Sequence, residues 1–276
     1  MPSFVAARNA AFAADIDKAL GPALAAVPEP DRRRIDAAIG AATGKRRIFA
    51  NECAGLHFPF LPADEFFDRG HFPWLAAFEA HTPAICAEAL ALRDGIKPYV
   101  AMPSGAPPNK WTPLDGSLDW GAYHLWEYGA EIPEAIARCP ATAAALRDVP
   151  QADLPGRAPT AFFSILQPHT RIPPHSGVSN TRTIIHLPLI VPPGCGFRVG
   201  GETREWVEGR AFAFDDTIEH EAWNDSDEVR IVLILDVWNP YLTEVERGVL
   251  RDFYRAADAS GHNQENELPL PINRLT

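Results

Sequence analysis

From about residue 160 the chain breaks into short aromatic and β-branched runs divided by turn formers, and this texture constrains its fold more than any other feature. AFFSILQP, TRTIIHLPLIV, GFRVGG, TREWVEG, RAFAFDD, IEHEAWN and VRIVLILDVW are separated by Gly, Pro and Asp-rich turns. That pattern predicts an antiparallel sandwich or barrel. Two-residue periodicity then says which side chains share a face. Arg182, Ile184 and His186 point one way; Ile218, His220, Ala222 and Asn224 share a face opposite Glu219 and Glu221; Arg230, Val232, Ile234 and Asp236 share another. A buried guanidinium among aliphatic neighbours is costly when alone, so Arg230 needs an anionic partner.

The first 150 residues read differently, as helical and irregular. Residues 4–20 and 31–43 are Ala-rich with apolar residues at helical spacing, and Gly44 is a stop signal. Thr82-Pro83 reads as an N-cap and first-turn proline of a helix running towards Gly95; Pro133 opens another, and ATAAALRDV a further turn before Pro150. The stretch 102–129, rich in Pro, Gly and Trp, reads as ordered coil with short strands. GHNQENELPLPINRLT reads as an extended tail. With no internal repeat and no low-complexity linker, one unit over 1–276 is expected. It would comprise a helical or irregular leader (1–150), a β core (155–245), and a C-terminal helix and tail (246–276).

A net charge of −11 argues against nucleic acid or an anionic membrane surface as partner. No run approaches the roughly 18 apolar residues of a membrane span, and MPSFVAARNAAFAADIDKAL does not read as a signal peptide. Cys53, Cys86, Cys139 and Cys195 are widely spread with no C-x-x-C pair, which fits free thiols in a reducing cytoplasm and disfavours thiolate zinc. Oligomeric state is not legible.

The chemistry concentrates at His175-Ser176-Gly177 and at His220. Two histidines at the ends of β-like segments can place two imidazoles on one metal. Non-heme Fe(II) oxygenases usually keep a carboxylate two residues after the first histidine; here that residue is Gly177, which has no side chain. Asp215 and Asp216 sit in a turn before the His220 strand and read as turn-forming residues near the metal, not as ligands. Trp111, Trp120, Trp126 and Trp223 read as packing aromatics, one of which could line a pocket, and His169 reads as an exposed turn residue.

These residues carry a resemblance. PHSGVSNTR, HLPLIVPPGC, ETREWVEGRAFAFDDTIEHEAWN and VRIVLILDVWNPYLT resemble the catalytic core of the aspartyl/asparaginyl β-hydroxylase family of Fe(II)/2-oxoglutarate dioxygenases, with further likeness in FPFLPADEFFDRGHFPWLAAFE and in 126–140. The first 50 residues lie outside it. The resemblance implies a double-stranded β-helix (jelly-roll, cupin-like) core, mainly β with a helical N-terminal region. It implies Fe(II) on His175 and His220, with Gly177 at a position lacking the usual acid in well-studied members too. It implies 2-oxoglutarate held through one carboxylate by Arg230 with help from Ser164, and His186 near the other carboxylate. Arg182 is the expected substrate contact. Members acting on aspartyl side chains carry alternating basic residues on the strand matching 182–186, whereas this chain has Ile184; their animal members also carry a peptide-recognition region that nothing here resembles.

The function so implied is hydroxylation of a small amino acid or related metabolite with Fe(II), 2-oxoglutarate and O₂, releasing succinate and CO₂. Neutral imidazoles are needed for metal binding, so affinity is expected to fall below roughly pH 6. The competing readings are an Asp/Asn hydroxylase of peptides or proteins, a halogenase using the position left open at Gly177, a non-catalytic jelly-roll binding module and a lipid hydroxylase.

Overall fold

The structure is a computed structural model that describes residues 4–28, 31–92 and 94–261. Where the sequence reading expects one unit, the contacts delimit two, Met1–Phe49 and Ala50–Thr276. The first holds α1 (Phe4–Leu24) and α2 (Asp31–Ala42). Arg32 ties them by donating to the Leu24 carbonyl at 2.6 Å. Gly44 follows α2 at a φ of +74°. Lys45 and Arg46 then donate back to the Gly40 carbonyl, closing the helix end.

In the second unit the order is α3 (Leu75–Glu79), α4 (Thr82–Ala91), β1 (Lys97–Pro98), β2 (Trp120–Glu127), β3 (Ala130–Glu131), α5 (Pro133–Arg138) and α6 (Pro140–Arg147). There follow β4 (Ala161–Leu166), β5 (Thr170–His175), β6 (Arg182–Ile190), β7 (Cys195–Val199), β8 (Glu202–Arg204), β9 (Phe212–Phe214), β10 (His220–Asn224), β11 (Arg230–Trp238) and α7 (Glu244–Ala259). A larger antiparallel sheet runs β1-β2-β4-β11-β6-β9 with β3 on β2, and a smaller one runs β5-β10-β7-β8. The crossovers between the two make the double-stranded β-helix that the resemblance implied.

The expected strand alternation is what builds the interior. On the larger sheet, Tyr123, Leu125, Phe163, Ile165, Ile185, Leu187, Leu233 and Leu235 turn to one side and pack with Leu75, Phe78, Ile85, Ala89, Ala143 and Leu146 from the helices. Cutting a side chain such as Leu233 to Ala there costs about 2–5 kcal/mol. Their even-numbered neighbours, among them His124, Ser164, Arg182, His186, Arg230 and Asp236, turn inward and line a cavity facing the smaller sheet. The helix layer is pinned by Glu88 of α4, whose carboxylate accepts from the Ala141 and Thr142 amides at 2.8 Å each and so caps α6.

The 102–129 stretch is mostly coil, as expected, and its end forms β2, an eight-residue strand inside the larger sheet. Three sequence expectations are corrected. The 203–209 run keeps only Thr203 and Arg204 in β8 before turning. Thr82 is the first helical residue and His81 the cap position; the Thr82 hydroxyl donates to the Glu79 carbonyl at 2.6 Å. The segment TRIPPH, absent from the expected strands, is β5. Its two prolines are tolerated because β5 is an edge strand with a bulge opposite His220 and Ala222. The expected C-terminal helix is α7; the expected tail from His262 onward lies outside the described residues.

Candidate active site

His175 ends β5 and His220 begins β10, and the register places them directly opposite one another. Their ring centroids are 4.1 Å apart at an interplanar angle of 53°. An imidazole nitrogen about 2.1 Å from a metal puts its ring centroid about 3 Å from the ion, so rings sharing one ion lie about 4–5 Å apart. The pair fits. Each ring is also oriented by its own strand: His175 Nδ1 lies 2.8 Å from the Pro173 carbonyl, and His220 Nδ1 3.0 Å from the Ile218 carbonyl. A carbonyl can only accept, so both Nδ1 atoms carry the proton and both Nε2 atoms keep a lone pair for a metal. Burial and the neighbouring His220 hold His175 well below the usual imidazole range, and burial takes His220 down to about 4. Both rings are therefore neutral at pH 7.

Gly177 has a steric reason that the sequence did not reveal. A Cβ there would lie 2.0 Å from Asp216 Oδ2. The carboxylate of Asp216 thus stands in the space a side chain at 177 would need, and the Gly177 amide donates to the Asp216 carbonyl at 2.6 Å. Asp216 Oδ1 is buried with no hydrogen-bond partner, and burial pushes its carboxyl up to about 7 against the pull of Arg182. Asp215 differs: it accepts from the Thr217 amide and hydroxyl and from Asn51 Nδ2, as a turn-forming residue should. Among the described residues, no three His, Cys, Asp or Glu side chains are grouped to hold a metal. A segment before the helices straps this loop in place. The Glu52, Ala54 and Gly55 amides donate to the carbonyls of Thr217, Gly177 and Val178, and the Phe58 amide to Asn180 Oδ1. Nothing in its sequence signals that role, because these are backbone contacts.

At the far end of the cavity Arg230 begins β11 and is 1% exposed. Its one hydrogen bond runs from Nη2 to Ser164 Oγ at 3.4 Å, its guanidinium lies 5.1 Å from the Trp206 ring centroid, and Nε has no partner. Burial draws its pKa down to about 10. No carboxylate among the described residues compensates it, so they do not supply the anion that the sequence calls for. Ser164 Oγ already accepts from Trp120 Nε1 at 3.1 Å, which leaves its own proton to donate. His186 stacks on Trp206 at 5.3 Å, and its Nδ1 is buried without a partner. Three polar groups thus converge with unused hydrogen-bonding capacity, a strained arrangement unless a polar ligand completes it.

The outer end is organised otherwise. Arg182 Nη1 is ion-paired with Asp236, whose other oxygen accepts from the Thr160 amide at 2.6 Å. Tyr99 stacks on Trp120 with centroids 4.0 Å apart, and its phenol, near Asp216, Tyr128, Arg182 and Asp236, is pushed up to about 12 by burial. His124 stacks on Phe162 at 4.8 Å and is held below its usual range by burial. The whole cavity is about 330 Å³ and takes in every site residue named from the sequence: Ser164, His175, Arg182, His186, His220 and Arg230. It also takes in Trp111 and Trp120, whereas Trp126 is in the core and Trp223 stacks under Arg171. Sequence reasoning missed Tyr99, His124 and the partnership of Asp236 with Arg182. The even-numbered alternation of β2 was the available signal for His124. His169 is exposed, with Asp227 at 2.9 Å.

The fold and the site together define a double-stranded β-helix that carries an opposed pair of buried histidines and, in the same cavity, a buried arginine with no carboxylate partner among the described residues. The family follows from sequence: the profile described as Aspartyl/Asparaginyl beta-hydroxylase matches residues 79–240, and the chain belongs to that family. The human aspartyl/asparaginyl beta-hydroxylase is 38% identical over 185 residues, 65% of this chain but 23% of that protein. The Rhizobium tropici ornithine lipid ester-linked acyl 2-hydroxylase is 34% identical over 194 residues, 68% of this chain and 66% of that protein. Human aspartate beta-hydroxylase domain-containing protein 1 is 35% identical over 74% of this chain and 51% of its own length. The chain therefore spans from about a quarter to two thirds of these relatives. Among solved structures, the Schizosaccharomyces pombe Cnp3 cupin domain overlaps with a TM-score of 0.29 at 10% identity, over 44% of this chain and 65% of that one. The topology above stands without that overlap.

Proposed function

We propose that this chain is an Fe(II)- and 2-oxoglutarate-dependent hydroxylase of a small amino acid or related metabolite. The observation that carries this reading is the uncompensated Arg230 guanidinium, buried in the same cavity as two opposed, neutral imidazoles. His175 and His220 would hold the metal through Nε2. Arg230, with the Ser164 hydroxyl, would bind the distal carboxylate of the keto acid through a charge-assisted pair. His186 would offer its unpartnered Nδ1 side to the other end. When bound together with O₂, the metal and keto acid supply the oxidising power for C–H hydroxylation, with succinate and CO₂ as co-products. The protein's share is to orient, to desolvate and to exclude bulk water. Asp216 stands where the absent ligand's side chain would project, and its unpartnered oxygen can accept a hydrogen bond from a water there.

A cavity of about 330 Å³ that must also admit the keto acid leaves room for a small substrate or for one end of a larger one. That second case is favoured by the Rhizobium relative, whose name specifies a lipid acyl chain and which is matched over 66% of its length. No helix among the described residues is long and apolar enough to cross a membrane. The four cysteines are free thiols, which fits the reducing cytoplasm proposed from their spacing.

The test is succinate formation from 2-oxoglutarate by Fe(II)-loaded protein, with a metabolite panel and mass analysis of the products. The expected result is metabolite-stimulated succinate and a product heavier by one oxygen. A product carrying chlorine would establish the halogenase instead. Absence of succinate under every condition, with metal bound, would leave a binding module.

A further inference from the structure

On the inward face of β6, within the cavity described above, the three residues Arg182, Ile184 and His186 offer one permanent cation, and that cation is already paired. Arg182 meets Asp236, and side-chain exposures of 13% and 2% place the pair out of bulk water. Ile184 stands opposite Asp236 on β11 and Phe214 on β9, so the position beside the pair is aliphatic. The other basic side chains lining the cavity are also committed. Arg157 pairs with Asp258 at 2.8 Å, and Arg230 is taken by the cosubstrate in the reading above. Of the cavity's histidines, His124 stacks on Phe162 and His186 on Trp206, while His175 and His220 are the pair assigned to the metal in the reading above. The acidic side chains lining the cavity are Glu127, Asp216 and Asp236, the last already joined to Arg182.

We infer that the substrate end reaching the histidine pair is uncharged and aliphatic, and that a carboxylate is rejected there because no lining cation is left to pair with it. Arg182 keeps further N–H donors and can still hold a neutral acceptor such as an amide or ester oxygen. A buried carboxylate without a partner pays its desolvation in full, while an aliphatic segment gains by burial against Ile184, Phe162 and Ile234. This rests on the hydroxylase reading and deepens it by naming the chemistry of the reacting end.

The test is binding of three amino acids that share a head group, L-norvaline (methyl end), L-glutamate (carboxylate end) and L-ornithine (ammonium end). They are titrated by ligand-observed NMR into protein carrying Mn(II) and 2-oxoglutarate without oxygen. Norvaline is expected to bind at least about tenfold more tightly than glutamate. Two variants should move that order towards glutamate: Ile184→Arg, which adds a cation, and Asp236→Asn, which frees the charge of Arg182 without adding volume. The second is isosteric and keeps the test alive if the first fails to fold, with near-UV circular dichroism as the check. Tighter binding of glutamate or ornithine than norvaline by the unmodified protein would overturn the inference. So would an unchanged order in a folded variant, or no binding by the whole series while 2-oxoglutarate binds. If 2-oxoglutarate itself does not bind, the hydroxylase reading fails, and that outcome is separately visible in the same titration.

Discussion

Arg230 and Arg182 are both arginines on inward faces of the larger sheet, yet the protein treats them oppositely. Arg182 is joined to Asp236, which is further satisfied by the Thr160 amide, so that end of the cavity is complete as built. Arg230 is more deeply buried and has a single long bond to Ser164, beside a His186 whose Nδ1 has no partner. Folding tolerates a buried charge at a cost of several kcal/mol when it is unpaired. The difference teaches that the satisfied pair is architecture, while the unsatisfied group is the one that the proposed cosubstrate would complete.

The largest effect that bears on this contrast comes from the histidines between the two ends. His175→Ala or His220→Ala should remove metal binding and lower turnover by more than about 100-fold, the upper end of what loss of a group merely supporting a ligand costs. Metal content after dialysis is the measurement. Full turnover in His220→Ala would break the assignment.

Arg230→Met is expected to weaken 2-oxoglutarate binding by about 30-fold or more, corresponding to about 2–5 kcal/mol for one partner of a buried charge pair. The same variant should melt at a higher temperature than the unmodified protein when both are free of metal and keto acid, because an uncompensated buried charge has gone. Arg182→Met should do the reverse. It strands Asp236 and should cost about 3–5 kcal/mol of stability by calorimetry. If both arginine variants shift stability in the same direction, the contrast is wrong.

Gly177→Asp sharpens the middle ground. An aspartate there would either rebuild a three-ligand site or jam it; the 2.0 Å approach of Asp216 to a Cβ at 177 favours jamming. Gly177→Asp should lose metal affinity and melt earlier, and adding Asp216→Gly should restore the melting temperature. Equal stability of the single variant and the parent would contradict this.

The smallest effect is on pH dependence. His175 and His220 are depressed in the folded chain, His220 to about 4 from an ordinary 6.5. Between those values the unfolded chain binds more protons than the folded one. Their contribution is thus fully present above pH 6.5 and is lost as pH falls towards 4. Melting of the metal-free protein should drop across that window. Depressed rings also resist protonation, so loss of metal affinity should set in below the pH 6 region expected for free imidazoles.

The parts legible in the sequence were those written in local periodicity. Alternation correctly put Arg182, Ile184 and His186 on one inward face, separated His220 from Glu219 and Glu221, and placed Arg230 at the start of a strand with aliphatic neighbours on its face. Glu219 and Glu221 are outside, bonded to Arg198. What escaped depends on contacts distant in the chain. Pro173 and Pro174 hid β5 because only an edge position makes them acceptable. Asp216 was placed near the metal, but its occupation of the Gly177 space needs the loop crossing to be seen. Tyr99 joins the cavity through a stack on Trp120, which no spacing announces.

The central claim is that two histidines and one uncompensated arginine assemble a metal and a keto acid in a single cavity. Its most direct test is anaerobic titration of 2-oxoglutarate into Fe(II)-loaded protein, followed by the visible charge-transfer absorption of the chelate. The account predicts a saturable band at one equivalent per chain that needs both His175 and His220 and is displaced to much higher concentration in Arg230→Met. No band at any concentration with iron bound, or a curve unmoved by Arg230→Met, would contradict it.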